Sequence, residues 1–203
     1  ALNAPVLRAA GVLRPLVWQS NRWDPLALTA VPPKRSGVEG IALDLMRGEV
    51  RGETFNISNP DDKDLNLELS LHGFPDTVRV ELREVLFTDT QSRTPVAAAL
   101  RRMGLDERGV ARLVVPSGCT RQVWVSCQRP SGEAKAYEGG IRLSSDDARF
   151  SKDIALRVNI RNLDFPKQPS MHVGGWDYTH GKADYYRAPG NFAASQALMR
   201  EMY

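Results

Sequence analysis

The sequence has 203 residues, 27 Lys+Arg against 24 Asp+Glu for a formal charge of +3, and 42% apolar and 25% charged residues. That is enough chain for one or two domains with a real core, and the composition excludes a disordered chain, a coiled coil and a disulfide knot. Its apolar runs fall far short of the ~18–20 residues of a membrane-spanning helix, and its interspersed charge argues against nucleic acid as a partner.

Residues 1–37 read as an irregular lead-in. Pro5, Gly11 and Pro15, followed by Pro25, Pro32 and Pro33, leave no room for a long helix. Trp18 and Trp23 lie in this stretch and are expected to pack the lead-in onto a neighbouring sheet, with sugar stacking as the alternative.

From about residue 38 the apolar period becomes two. Ile41, Leu43 and Leu45 alternate with Ala42 and Asp44, and Phe55 and Ile57 alternate with Thr54, Asn56 and Ser58. Leu65, Leu67, Leu69 and Leu71 give the clearest case. Val78, Val80 and Leu82 continue the pattern until parity slips at Arg83-Glu84, where one extra residue, a β-bulge, is expected before Val85 and Phe87. Pro95 to Met103 suits a short helix or an irregular strand. Further strands are expected at Val110–Val115, Gln122–Cys127, Tyr137–Leu143 and Ile154–Ile160.

Turn clusters such as Asn59-Pro60-Asp61-Asp62 and Pro116-Ser117-Gly118 separate these strands. Alternation means that each strand packs one face and wets the other, and no helical pattern lies between them to cross over a parallel sheet. The expectation for 38–162 is an all-β, antiparallel, immunoglobulin-like β-sandwich.

Phe165-Pro166-Lys167-Gln168-Pro169 marks a Pro-containing linker over 163–170, since two prolines three apart resist helix and central strand alike. The remainder, 171–203, reads as a strand-loop-helix appendage. Met171 to Tyr178 forms its strand, and Asn191 caps a helix over Phe192–Tyr203 that carries Ala194, Leu198 and Met202 on one stripe. That helix lacks a stop signal, and Ala1 follows no recognisable leader. The expectation is an element cut short, from a processed or longer parent chain, whose 171–203 is covered by the rest of that polypeptide or by another chain.

Few residues suggest chemistry. Cys119 and Cys127 flank a predicted strand whose eight steps span about 26 Å, too far for a disulfide, so the two are expected to stay unbonded. Cys127 shares parity with Val123 and Val125 and reads as a small core residue. Trp124 has the opposite parity, which makes it either part of a second packed face or a surface aromatic, with packing favoured. His172, Asp177 and His180 could be drawn as a metal site, but an extended strand sends His172 and Asp177 to opposite faces. Asp106-Glu107 lies between Gly104 and Gly109 and reads as a solvated turn rather than a catalytic pair. Asp61-Asp62-Lys63-Asp64 and Asp146-Asp147 lack the spacing of a calcium loop, and the sequon Asn56-Ile57-Ser58 sits in a strand. No catalytic residue, metal ligand or cofactor is expected.

Several segments together resemble a known family. These are Gly48-Glu49-Val50-Arg51-Gly52-Glu53-Thr54-Phe55-Asn56-Ile57-Ser58-Asn59, Ser117 to Val125, Tyr137-Glu138-Gly139-Gly140-Ile141-Arg142-Leu143, and Gly174-Gly175-Trp176-Asp177-Tyr178 after the prolines. The chain over about 38–203 resembles the β-sandwich module, and the start of the (β/α)8 barrel, of bacterial glycoside hydrolases of family 123, which are β-N-acetylgalactosaminidase-like. The resemblance implies a non-catalytic module of a secreted, periplasmic or cell-surface enzyme acting on N-acetylhexosamine sugars. It also makes 171–203 the first β/α unit of the barrel. Trp176, Asp177 and Tyr178 are the carbohydrate-binding candidates it implies. The catalytic carboxylate pair of that family lies on a later barrel strand, so Asp106-Glu107 does not match it. A structural or adhesion module, or a free-standing sugar-binding module with Trp18, Trp23, Trp124 or Trp176 as its platform, are the competing expectations.

Overall fold

The computed structural model describes residues 3–166 apart from Pro25, Arg35, Thr90, Gln91 and Arg129. The chain divides into two units, Ala1–Phe165 and Pro166–Tyr203, and the first is described here. The appendage expected over 171–203 lies outside the described residues.

The first unit opens with a one-and-a-half-turn helix, α1 (Ala4–Ala9), followed by β1 (Leu16–Trp18). Nine strands follow: β2 (Gly40–Arg47), β3 (Val50–Ser58), β4 (Leu65–His72), β5 (Val80–Asp89), β6 (Pro95–Arg102), β7 (Val110–Val115), β8 (Thr120–Gln128), β9 (Ala136–Ser145) and β10 (Ser151–Asp164). They make two five-stranded sheets in the orders β1-β3-β8-β5-β6 and β2-β10-β9-β4-β7. The result is the all-β sandwich expected from the alternation. Its described pairings are antiparallel except that of β2 with β10, which run parallel from Ile41 opposite Leu156 to Leu45 opposite Ile160.

The core lies between the sheets and is built from the inward parity of each strand. Ile41, Leu43 and Leu45 of β2 share one buried cluster with Leu67 and Leu69 of β4, Val123 and Val125 of β8, and Leu156 and Val158 of β10. Phe55, Ile57, Leu143 and Ile154 are fully buried among them. Removing this much apolar surface from water at about 25 cal/mol per Å² is what the two-sheet arrangement achieves and one sheet would not.

Two local expectations are corrected and one open choice is decided. The lead-in is not wholly irregular: α1 buries Ala4 and Leu7, and β1 pairs antiparallel with β3 as the edge of the first sheet. Of the two alternatives left open for Pro95–Met103, the irregular strand is the one found: Pro95–Arg102 pairs with β5 through a register shift, and tertiary pairing overrides the helix preference of its alanines. The bulge is not at Arg83-Glu84. There β5 pairs without a break with β8, and the register shift comes one turn of the pleat later, between Leu86 and Phe87, where β6 inserts Ala98. The parity slip has another cause: Glu81 and Leu82 are both buried, as are Glu84 and Val85, so β5 is covered on both faces.

A similar double cover holds at the centre of the first sheet. Thr54, Asn56, Ser58, Thr120 and Gln122 carry the outward parity of β3 and β8, yet all are buried. The lead-in crosses them: the Thr120 amide donates to the Leu28 carbonyl at 2.8 Å and its hydroxyl to the Ala30 carbonyl at 2.8 Å.

Candidate functional site

The outer face of the first sheet holds the arrangement with the most recognition chemistry. Its inner part is a buried polar ladder. Trp18 Nε1 donates to Ser58 Oγ at 2.9 Å, Ser58 Oγ and Thr120 Oγ1 share a hydrogen bond of 2.7 Å, and Gln122 Nε2 donates to Asn56 Oδ1 at 3.0 Å. Asn56 Nδ2 in turn donates to Ser20 Oγ at 3.0 Å. The network satisfies most of the polar groups that the lead-in desolvates and so fixes the course of the lead-in. Thr54 Oγ1 stays buried without a hydrogen-bond partner. Asn56 is fully buried and spoken for, so the sequon is closed to a glycan.

Where this ladder ends, two tryptophans meet. Trp124 is half-buried on β8, directly opposite Thr54 on one side and Arg83 on the other. Its ring lies close over Gly52: a Cβ there would stand 3.3 Å from Trp124 Cε3. Trp23 packs edge-on against Trp124, with ring centroids 5.8 Å apart and planes 67° apart, and is 74% exposed. A turn over Asn21–Asp24 holds it, with the Asp24 amide donating to the Asn21 carbonyl and the Trp23 amide to Asn21 Oδ1, both at 3.0 Å. Arg22 lies with its guanidinium carbon 5.4 Å from the Trp23 ring centroid while ion-paired to Glu53.

Beside Trp124, three guanidinium groups share one carboxylate. Arg79, Arg83 and Arg102 approach Glu81 at 2.6, 3.3 and 3.4 Å, and Glu81 is buried beneath them. The register aligns Trp124 of β8, Arg83 of β5 and Arg102 of β6 in one row across three strands.

Several other acidic groups hold loops, and one ties neighbouring strands together. Asp106 accepts the amides of Val110 and Arg108, and these bonds, the first above all, keep its carboxyl below the usual aspartate range. Asp147 is lowered in the same direction, first by the Ser145 hydroxyl and then by Arg149. Asp64 accepts the Ser117 amide at 3.0 Å, and Arg8 pairs with Asp62. His72 Nε2 lies 3.0 Å from Asp153, which Arg142 also engages, and the His72 contact is the larger cause of the lowered Asp153 pKa. Among the described residues no group of three or more His, Cys, Asp and Glu could hold a metal. No described helix is long and apolar enough to cross a membrane.

Two surface clefts are also present among the described residues. One of about 310 Å3 runs along His72, Phe74, Asp76 and Arg79. The other, about 410 Å3, lies between Arg14, Glu39, Arg149 and Lys152.

Of the four tryptophans offered as platforms, Trp18 is core-like at 3% exposure, whereas Trp23 and Trp124 come together at the surface. Trp176, Asp177 and Tyr178 lie outside the described residues, as do His172 and His180. The convergence of Arg79, Arg83 and Arg102 on Glu81 had no counterpart in the sequence reading. The i, i+2 spacing of Arg79, Glu81 and Arg83 was its visible part, while Arg102 joins only through strand pairing.

Neither a protein-family model nor a curated protein sequence matches the chain. Among solved structures, it is similar to a family 123 glycoside hydrolase from Clostridium perfringens that hydrolyses glycolipid glycans, at 14% identity and a TM-score of 0.51. The match covers 75% of this chain and 28% of that enzyme. Weaker likenesses are to the CooA pilin subunit of enterotoxigenic Escherichia coli and to a PapD-like domain of human CEP192. The pilin match has 12% identity and a TM-score of 0.35 and covers 74% of this chain and 99% of the pilin. The PapD-like match has 9% identity and a TM-score of 0.35 and covers 70% of this chain and 99% of that domain. At these identities the likeness is one of fold.

Proposed function

We propose that the chain is a non-catalytic β-sandwich module of a carbohydrate-active enzyme, which supports or orients a catalytic barrel. The observation that carries this reading is the match of three-quarters of the chain to little more than a quarter of a glycoside hydrolase, at a TM-score of 0.51. The sequence resemblance to the same family points the same way, and the partner it implies is the remainder of a longer polypeptide or a second chain. The composition of the described unit is consistent with a supporting role. Its buried carboxylates are engaged within the sheets: Glu49 accepts the Met46 amide at 2.8 Å, Glu81 serves three guanidinium groups and Glu84 pairs with Arg101. Glycoside hydrolysis by a carboxylate pair needs two such groups free to flank a sugar.

The test is the natural protein. An antibody against this chain should capture, from culture medium, periplasm or cytoplasm, a species far larger than 22.5 kDa that cleaves an aryl N-acetylhexosaminide. The 203-residue chain alone should leave that substrate intact. Capture of a 22.5 kDa species only would overturn the reading. So would turnover by the chain alone that disappears in Asp106→Asn or Glu107→Gln.

A further inference from the structure

We infer that the free edge of β2 pairs with the same edge of a second copy of this chain, antiparallel about a two-fold axis at Ala42, so that the second sheets of the two copies join into one. This goes beyond the module reading and rests on the topology of the described residues alone.

A strand at the edge of a sheet exposes unpaired backbone groups, and edges are commonly guarded by short length, proline, bulges or charge. Among the described residues the two sheets end in β1, β6, β2 and β7. Three of these edges are guarded. β1 has only three residues. β6 begins at Pro95 and breaks register with β5 between Leu86 and Phe87. β7 has six residues, a bridge from Leu105 to Ala111, and Arg112 with 74% side-chain exposure. β2 is the exception. Its eight residues contain neither proline nor lysine, and its register with β10 is unbroken from Gly40 to Met46. Its acidic group, Asp44, is drawn onto its own sheet, where Asn159 and Arg161 donate to it at 2.6 and 2.7 Å.

The groups at this edge can be assigned from the end of the strand. The Arg47 carbonyl accepts the amide of Phe165, just beyond β10, so Arg47 faces β10. Met46 faces the other way: its amide donates to Glu49 Oε2 at 2.8 Å and its carbonyl accepts the Glu49 amide at 3.3 Å. A strand sends the backbone groups of alternate residues to opposite sides. Gly40, Ala42 and Asp44 therefore share the side of Met46, away from β10, and all three are exposed. The Met46 groups are satisfied by Glu49, whereas among the described residues the amides of Ala42 and Asp44 have no acceptor.

This edge is complementary to itself in one register. Centred on Ala42, antiparallel pairing sets Ala42 against Ala42 and Gly40 of each copy against Asp44 of the other. All three residues then exchange both of their backbone hydrogen bonds, and each carboxylate lies opposite a glycine. Centring on Leu43 would pair Gly40 with Met46, whose groups are already taken. Centring on Asp44 would oppose two carboxylates, which is destabilising.

The test uses the full 203-residue chain. Sedimentation equilibrium between about 10 and about 500 µM, where a small interface populates, should show a reversible rise from 22.5 kDa toward twice that mass. Ala42→Glu sets like charges opposite each other and should raise the dissociation constant about tenfold or more, while melting like the parent chain when dilute. Ala42→Cys brings two thiols together on Cα atoms about 5.5 Å apart, within the span of a disulfide. It should give a covalent dimer under mild oxidation, which Lys63→Cys, in an exposed loop, should not. The inference is overturned by a chain that stays monomeric throughout, by a dimer that Ala42→Glu leaves intact, or by cross-linking of Ala42→Cys no greater than that of Lys63→Cys. None of these outcomes touches the polypeptide size and activity of the natural protein, on which the module reading is judged.

Discussion

Cys127 ends the inward row of β8 behind Val123 and Val125, fully buried, and neither it nor Cys119 is in a disulfide. Burial pushes its thiol up from 9.0 to about 12, against a smaller lowering from the Gln128 amide. The folded state therefore keeps a proton that the unfolded thiol loses above 9.0. The contribution to stability is full below that pH and is lost as pH rises toward about 12. At pH 8, a thiol reagent should label Cys119 and leave Cys127 untouched until the chain is unfolded in guanidinium. Prompt labelling of both cysteines in the folded chain would contradict the placement of Cys127 in the core.

At the scale of the elements, β9 and β4 show how close approach is arranged. Gly139 and Gly140 face His72 across the pair, and a Cβ at Gly139 would stand 2.4 Å from the His72 carbonyl oxygen and 2.4 Å from Phe74 Cε2. The carbonyl belongs to the ladder and cannot yield without breaking it. Gly139→Ala is therefore expected to destabilise the fold by about 1–3 kcal/mol. Gly37→Ala should be nearly neutral, since no atom lies within 4 Å of its Cβ position and its φ is not positive. Thermal melts of the two variants decide the point, and equal midpoints would show that β9 can shift. The edge strand β6 is managed differently. It begins at Pro95 and is bent by its extra residue, two devices that discourage pairing with a foreign strand.

At the scale of the molecule, the core formed among the described residues runs from Val17 to Ile160, within the first unit. A chain ending at Pro166 should consequently fold as an independent sandwich. Its melting midpoint should lie within about 2 °C of that of the full chain, a shift that corresponds to less than 1 kcal/mol at this size. A lower midpoint by ten degrees, or loss of the cooperative transition, would mean that 167–203 supplies part of the core.

The all-β class was legible in the sequence because the side-chain period of a strand is two and an apolar face must be buried somewhere. The rows Leu65-Leu67-Leu69 and Ile154-Leu156-Val158-Ile160 named their own inward faces. Cys127 was legible for the same reason. The lead-in defeated the reading because its proline-broken pattern carries no period, although α1 and β1 dock by few, well-placed contacts. The bulge was misplaced because both faces of β5 are covered, and alternation reports only a difference between faces. The candidate site was visible only as separate letters. Trp23 and Trp124 lie 101 positions apart in sequence, and Arg102 reaches Glu81 through the pairing of β5 with β6. Local sequence thus determined which residues turn inward, since that depends on backbone geometry and water. Which outward residues meet depended on strand order and register, and these are decided only when the two sheets close on each other.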